Sequence, residues 1–274
     1  MDESIADEIR TYYEDDYDES QRITKGLNEL ELVRTREIIE RHIPRGPLRV
    51  LDVGGGTGVH AKWLAELGHQ VELVDPMPRH VAAAQTLADS GLPITAGTGD
   101  ARRLSQVDDR FDAVLLLGPL YHLTERADRV QAWREALRVV KPGGVVIGAA
   151  ISRFASLFDG IAADFFVNPD FRVIVEQDIA TGQHRNPDRV HNWFTTSYFH
   201  LPQELEGEAA EAGAGIVGLF GVEGLAGWLP HLAGRWDDPV ARELILFSIR
   251  ATESEPSLGA LSQHLLLVTR KTAG

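Results

Sequence analysis

Between Val50 and Asp75 the chain carries two carboxylates and a run of glycines whose spacing suits a nucleoside ligand. Val50-Leu51-Asp52-Val53 reads as a buried strand, and Gly54-Gly55-Gly56-Thr57-Gly58 follows at once. Glycines in such a loop let backbone approach a ligand closely, because no Cβ intervenes and positive φ is open. Asp75 ends the next apolar run, 23 residues after Asp52, where an acid can accept hydrogen bonds from both ribose hydroxyls. Dinucleotide sites use G-x-G-x-x-G with a pyrophosphate on the helix N-terminus. Here Gly54, Gly56 and Gly58 run G-x-G-x-G, and Asp52 stands where a pyrophosphate would be repelled. That disfavours a nicotinamide-dependent oxidoreductase. A carboxylate beside the loop suits a cationic amino-acid end, and S-adenosylmethionine (SAM), with its ammonium and sulfonium, fits both acids.

Further segments extend the pattern. Val71–Asp75 forms a second strand, Gly99-Asp100-Ala101 a third acid-bearing turn, and Phe111-Asp112-Ala113-Val114 leads an apolar run to Gly118. Leu137–Val146 contains the turn Lys141-Pro142-Gly143-Gly144. Taken in this order with Val50–Gly58, these segments resemble the five motifs of the class I SAM-dependent methyltransferases, firmly over residues 45–151. The resemblance implies a seven-stranded, mostly parallel α/β sheet in the order 3-2-1-4-5-7-6, with the last strand antiparallel and helices on both faces. It also implies SAM contacts from Asp52, Gly54, Gly56, Thr57 and Gly58, from Asp75, Pro76 and Met77, and from Asp100, Ala101, Leu117 and His122. Asp75 takes the ribose and Asp100 the adenine amine in that reading. Asp112 begins a strand and is expected to be structural.

Methyl transfer is an in-line displacement, and much of its acceleration comes from holding acceptor and methyl aligned in a dry pocket. A general base is needed only for weakly acidic acceptors. Leu120-Tyr121-His122-Leu123 is similar to a segment of small-molecule methyltransferases in which the histidine lies close to the cofactor, which makes His122 the first candidate. His191, Trp193, Tyr198 and His200 form an aromatic and imidazole cluster, with His191 and His200 as further candidate bases. The plainer reading for each histidine is packing or a satisfied surface cluster. Gly118-Pro119-Leu120-Tyr121 lacks the polar residue and second proline of the [Asn/Asp/Ser]-Pro-Pro-Tyr element that serves exocyclic amines of bases. None of the ten histidines shows metal-pair spacing, so no metal site is expected.

Apolar runs alternate with helical patterns from Leu48 to Ile151, the rhythm of a parallel sheet covered by helices. Ile216–Phe220 and His264–Thr269 supply the remaining strands, and Asp238 with Pro239 should open a helix as N-cap and N1. Nine of the 20 aromatic residues fall in the 46 positions from Phe154 to Phe199, which marks residues 152–200 as an insertion over a ligand. Residues 1–44 read as an N-terminal cap on a catalytic domain at 45–274. Tyr12 on the leading helix would face the sulfonium, favoured by cation–π attraction. Tyr13, Tyr17, Arg22, Tyr121, Phe154, Trp193 and Tyr198 are the expected substrate walls. Residues 1–24 and 152–200 would then form a two-part lid.

Acidic side chains outnumber basic ones, 41 to 27, and residues 1–20 alone carry a net −8 of the total −14. Nucleic acid and anionic membranes are bound by basic patches, so neither is an expected partner. The absence of cysteine removes disulfides and thiolate chemistry. No apolar run is long enough for a membrane span, and the acidic start is unlike a secretory signal, so the expected setting is cytoplasmic. The leading expectation is a SAM-dependent methyltransferase acting on oxygen, nitrogen or carbon of a small, largely apolar or aromatic metabolite, as in natural-product biosynthesis. Its competitors are a SAM-binding protein without turnover and a nucleic-acid or protein methyltransferase. Oligomeric state is left open.

Overall fold

The computed structural model describes residues 27–186, 188, 190, 193–229 and 232–272. Five parallel strands form its centre: β1 (Arg49–Val53), β2 (Gln70–Asp75), β3 (Ile94–Thr98), β4 (Phe111–Leu116) and β5 (Val140–Ser152). Their order is β3-β2-β1-β4-β5. Val50, Leu51, Val53, Leu73, Val114, Leu115, Val146 and Ile147 are all buried, the continuous apolar pattern of strands covered on both faces. The covering helices include α1 (Leu27–His42), α2 (Val59–Glu66), α3 (Pro78–Asp89), the single turn α4 (Pro119–His122) and α5 (Arg126–Val139). Pro78 and Pro119 sit in the first turns of α3 and α4, where a missing N–H costs nothing.

After β5 come α6 (Ala155–Ala162), α7 (Pro169–Thr181) and the short antiparallel pair β6 (Gln183–His184) and β7 (Ser197–His200). Then follow α8 (Pro202–Glu211), β8 (Ala214–Gly221), α9 (Leu232–Trp236), α10 (Pro239–Thr252) and β9 (His264–Lys271). β9 pairs with β5 and β8. The Ser152 amide donates to the Gln263 carbonyl at 2.9 Å, while Thr269 Oγ1 donates to the Val146 carbonyl at 3.0 Å. Later residues of β5 thus meet earlier residues of β9, so these two strands are antiparallel. The expected α/β sheet with covering helices is present, and its strand count and order differ in detail from the expected seven. β6 and β7 raise the total to nine among the described residues, with β7 joining β5 in parallel at Ile151 and Ser152. The segment read as an insertion therefore contributes strands as well as helices.

The Lys-Pro-Gly-Gly turn is also corrected. β5 begins at Val140 and runs through Lys141–Gly144, with a register shift opposite Phe111 and Ala113. Irregular pairing there is what allows Pro142, which has no amide to donate, to lie inside a strand.

Two compact units share the described residues. A sheet unit holds residues 36–149, 206–218 and 267–272, and a helical unit holds 27–35, 150–205 and 219–266. In the helical unit, Leu30 packs with Trp236, Ile245, Leu246 and Ile249 in one core. A second core joins Phe171, Val175 and Trp193. Asp238 caps α10 by accepting from the Val240 amide at 2.9 Å, with Pro239 in the first turn.

Candidate cofactor site in the sheet unit

The glycine loop leaves β1 with its backbone pinned to the neighbouring strand, the Gly54 amide donating to the Val74 carbonyl at 2.7 Å. Gly54, Gly56 and Gly58 adopt φ of +67°, +55° and +89°, a region that side chains penalise. Gly55 is required for a different reason. A Cβ there would lie 2.7 Å from both Asp52 Oδ2 and the Leu73 Cδ1 methyl. The Asp52 carboxylate, 1% exposed, therefore sits directly beneath the loop.

Asp75 ends β2 with 4% exposure and is held from several sides. Its Oδ2 accepts from the Gly56 amide and its Oδ1 from the Met77 amide, each at 2.9 Å. His80, buried on the first turn of α3, places Nδ1 3.1 Å from Oδ1. One carboxylate thus fixes the glycine loop and the start of α3, and Oδ2, with a single partner, keeps lone-pair capacity beyond these bonds. His80 was not identified from sequence. Its signal was the spacing of five from the strand-end acid, which puts it on the first turn of the following helix.

Asp100 is engaged differently. Arg102 Nε and Nη2 grip its carboxylate at 3.0 and 2.6 Å, and Arg102 Nη1 reaches Asp128 at 3.0 Å. The hydrogen bonds from Arg102 hold the Asp100 carboxyl below the usual carboxylate range. An adenine amine would share this carboxylate with a guanidinium. Met77 and Ala101 are buried, Thr57 and Leu117 half-buried and Pro76 exposed.

The turn after β4 packs on the same loop. A Cβ on Gly118 would meet the Gly54 carbonyl at 2.8 Å, and one on Gly54 would meet Pro119 Cδ at 2.8 Å. Backbone-to-backbone contact therefore brings α4, with Tyr121 and His122, against the glycine loop. The two rings meet edge-on, 4.7 Å apart. The exit of α4 is anchored by buried Arg129, whose Nη1 donates to the Leu123 and Thr124 carbonyls at 2.8 Å each. Glu208 accepts from the Arg129 Nη2 at 2.7 Å. Asp112 is structural as expected, accepting from the Arg49 amide at 2.8 Å and from Lys141 Nζ at 2.6 Å. α2, which follows the loop directly, carries His60, whose pKa burial lowers to about 4 with Arg36 adding to the effect.

The other candidates belong to the helical unit. Trp193 is 6% exposed and packs on Phe171 at 4.9 Å, which makes it part of a core. His200 has no exposed surface, Tyr198 meets it edge-on at 4.7 Å, and the Arg153 guanidinium lies over the Tyr198 ring. Phe154 precedes α6 and is half-buried. Tyr12, Tyr13, Tyr17, Arg22 and His191 lie outside the described residues.

The donor set fits SAM on structural grounds: a loop that tolerates no Cβ at Gly55, one buried acid beneath it, and a second acid aimed by two amides. The comparisons agree. Residues 50–144 match the family model described as methyltransferase domain. A ubiquinone biosynthesis O-methyltransferase of Azorhizobium caulinodans is 30% identical over 221 residues, spanning 77% of each chain. A SAM-dependent methyltransferase from Mesorhizobium loti superposes with a TM-score of 0.59 at 17% identity, covering 88% of this chain and 99% of that one. The [4+2]-cyclase SpnF superposes with a TM-score of 0.55 at 21% identity, covering 89% of this chain and 81% of that one. The chain belongs to the class I SAM-dependent methyltransferases, and SAM is its cofactor. Within that class it is similar in sequence to proteins named as O-methyltransferases.

Proposed function

We propose that this enzyme methylates a hydroxyl oxygen on a small, largely apolar or aromatic metabolite, with His122 receiving the acceptor's proton. The observation that supports this reading is the seating of α4, the turn that carries His122, on the glycine loop through Gly118 and Gly54. The name of the Azorhizobium relative supports oxygen as the acceptor. The bound cofactor supplies an electrophilic methyl on a positively charged sulfur. Asp75 accepts the ribose hydroxyls, Asp52 balances the ammonium end, and Gly54, Gly56, Thr57 and Gly58 offer backbone at close range. Asp100 and Ala101 take the adenine edge. A phenolic hydroxyl needs little base help, and a nearby imidazole supplies it. Arg129 fixes the exit of α4 and so limits how far His122 can wander.

The test offers SAM with matched pairs of hydroxy- and amino-substituted aromatic compounds and follows S-adenosylhomocysteine (SAH) and product mass. One SAH per O-methyl product is expected, with His122→Phe lowering kcat at least tenfold, a larger loss than any it causes in SAH affinity. Transfer confined to the amines would contradict the proposal. A second reading, SAM binding without methyl transfer, takes support from the likeness to SpnF, since one fold hosts several chemistries. Tight SAH binding with no methylated product from any acceptor would favour it.

A further inference from the structure

We propose that Glu31, Glu223 and His264 form a binding site for one divalent transition-metal ion within the helical unit. Their candidate ligand atoms lie within 4.8 Å of one another. They come from the first turns of α1, from the residue pair following β8, and from the start of β9, so no sequence spacing joins them.

The site is built, with its central ligand oriented on both oxygens. Glu223 is 1% exposed. Its Oε2 accepts from Ser262 Oγ at 2.9 Å and from the His264 amide at 3.0 Å. Its Oε1 lies 2.6 Å from His264 Nδ1. Ser262 Oγ in turn accepts from the Glu223 and Gly224 amides, both at 3.1 Å. Such outer hydrogen bonds are how proteins aim ligating carboxylates. Glu31, half-buried, faces this pair with no hydrogen bond or ion pair to a described residue.

Charge points the same way. Glu31, Glu223 and nearby Asp159 are three acids, and His264 is the imidazole among them. Arg34, one turn along α1 from Glu31, directs its guanidinium to Glu253 and its Nε to the Val222 carbonyl. A dication between Glu31 and Glu223 balances the two carboxylates, and seating it on Nδ1 and Oε1 requires that 2.6 Å contact to open. Metal–ligand bonds of about 2.1 Å set ligand atoms at most about 4.2 Å apart, so the cluster must tighten by roughly half an ångström. Half-exposed Glu31 is the side chain free to make that movement. Two carboxylates and one imidazole suit Mn²⁺ through Zn²⁺, and the oxygen ligands are too few for Ca²⁺.

The test uses the full chain after chelator treatment and dialysis. Mn²⁺ is titrated by electron paramagnetic resonance and Zn²⁺ by calorimetry, with Glu31→Gln and His264→Asn in parallel. Binding of one ion per chain is expected, weakened at least tenfold in Glu31→Gln, while SAH affinity stays within about twofold. Glu31→Gln removes no bond to a described residue and should fold, so the result does not depend on His264→Asn folding. Absence of stoichiometric Mn²⁺ and Zn²⁺ binding would overturn the proposal, as would Glu31→Gln binding both ions as tightly as the parent. In either case Glu223 and His264 are a structural ion pair only.

Discussion

One buried acid of the sheet unit, Asp75, and two of the helical unit, Glu253 and Glu223, are held by different means. In the sheet unit, Asp75 is held by Gly56, Met77 and His80, two of them within five residues and the third at the facing loop. Two of those three partners are backbone amides, so the carboxylate is fixed in place yet keeps a lone pair on Oδ2 for a ligand. In the helical unit, Arg34 meets Glu253 across 219 residues of chain and Glu223 meets His264 across 41. Those acids face basic side chains from distant segments, an arrangement that holds elements together. A carboxylate set by amides at a strand end is ready for a visitor, whereas one set by a buried guanidinium is already committed. Asp100, gripped by Arg102, lies between these cases.

The contrast can be broken first at the loop. Gly55→Val must displace both the Asp52 carboxylate and the Leu73 methyl, and should lower SAH affinity by about 100-fold or more, read by calorimetry. Unchanged affinity would show that the loop tolerates a side chain and has another purpose.

Glu253→Gln should act on stability instead. It leaves the Arg34 guanidinium buried without its carboxylate, which costs about 3 kcal/mol or more. For a chain of this size that is a fall in Tm of roughly 6–12 °C, with SAH affinity of the folded protein within about twofold. Loss of SAH binding without loss of stability would erase the distinction between the units.

The smallest effects separate the units by the sign of their pH dependence. Burial lowers the His60 pKa to about 4, so the unfolded chain takes up a proton near pH 6.5 that the folded state resists. The stability this group preserves above about pH 6.5 is lost as pH falls toward 4. Asp159 runs the other way. Burial pushes its pKa up to about 6, held back by His264 and Gln263, so its contribution is present below about pH 4 and lost as pH rises through 6. His60→Gln should recover about 1 kcal/mol at pH 5 and little at pH 8, after allowance for partial solvent screening. Asp159→Asn should recover about 1 kcal/mol at pH 8 and little at pH 4. Denaturant melts across this range check both, and equal effects at both pH values would refute the assignment.

The sheet unit was largely legible in the sequence because its information is local. A strand, a glycine loop and an acid at the next strand end are contiguous, and the G-x-G-x-G spacing with Asp52 separates two nucleotide chemistries. The N-cap Asp238 with Pro239 was legible for the same reason. His80 was missed, since its one signal, the spacing of five from Asp75, acquires meaning only when α3 is seen to start between them. The aromatic enrichment of residues 154–199 signalled burial and left open what the rings face. Phe171 and Trp193 turn out to pack on each other, so apolar content alone did not distinguish a core from a pocket wall. Glu31, Glu223 and His264 lie on three distant segments, and no pattern of spacing could have joined them.

The most direct measurement is calorimetric titration of SAH into the parent protein and into Asp75→Ala. The account predicts micromolar, one-to-one binding by the parent and a loss of at least about 100-fold in the variant, because the ribose acceptor and the tie between the loop and α3 vanish together. Equal affinity in the two proteins would contradict it and would move the cofactor site away from the end of β2.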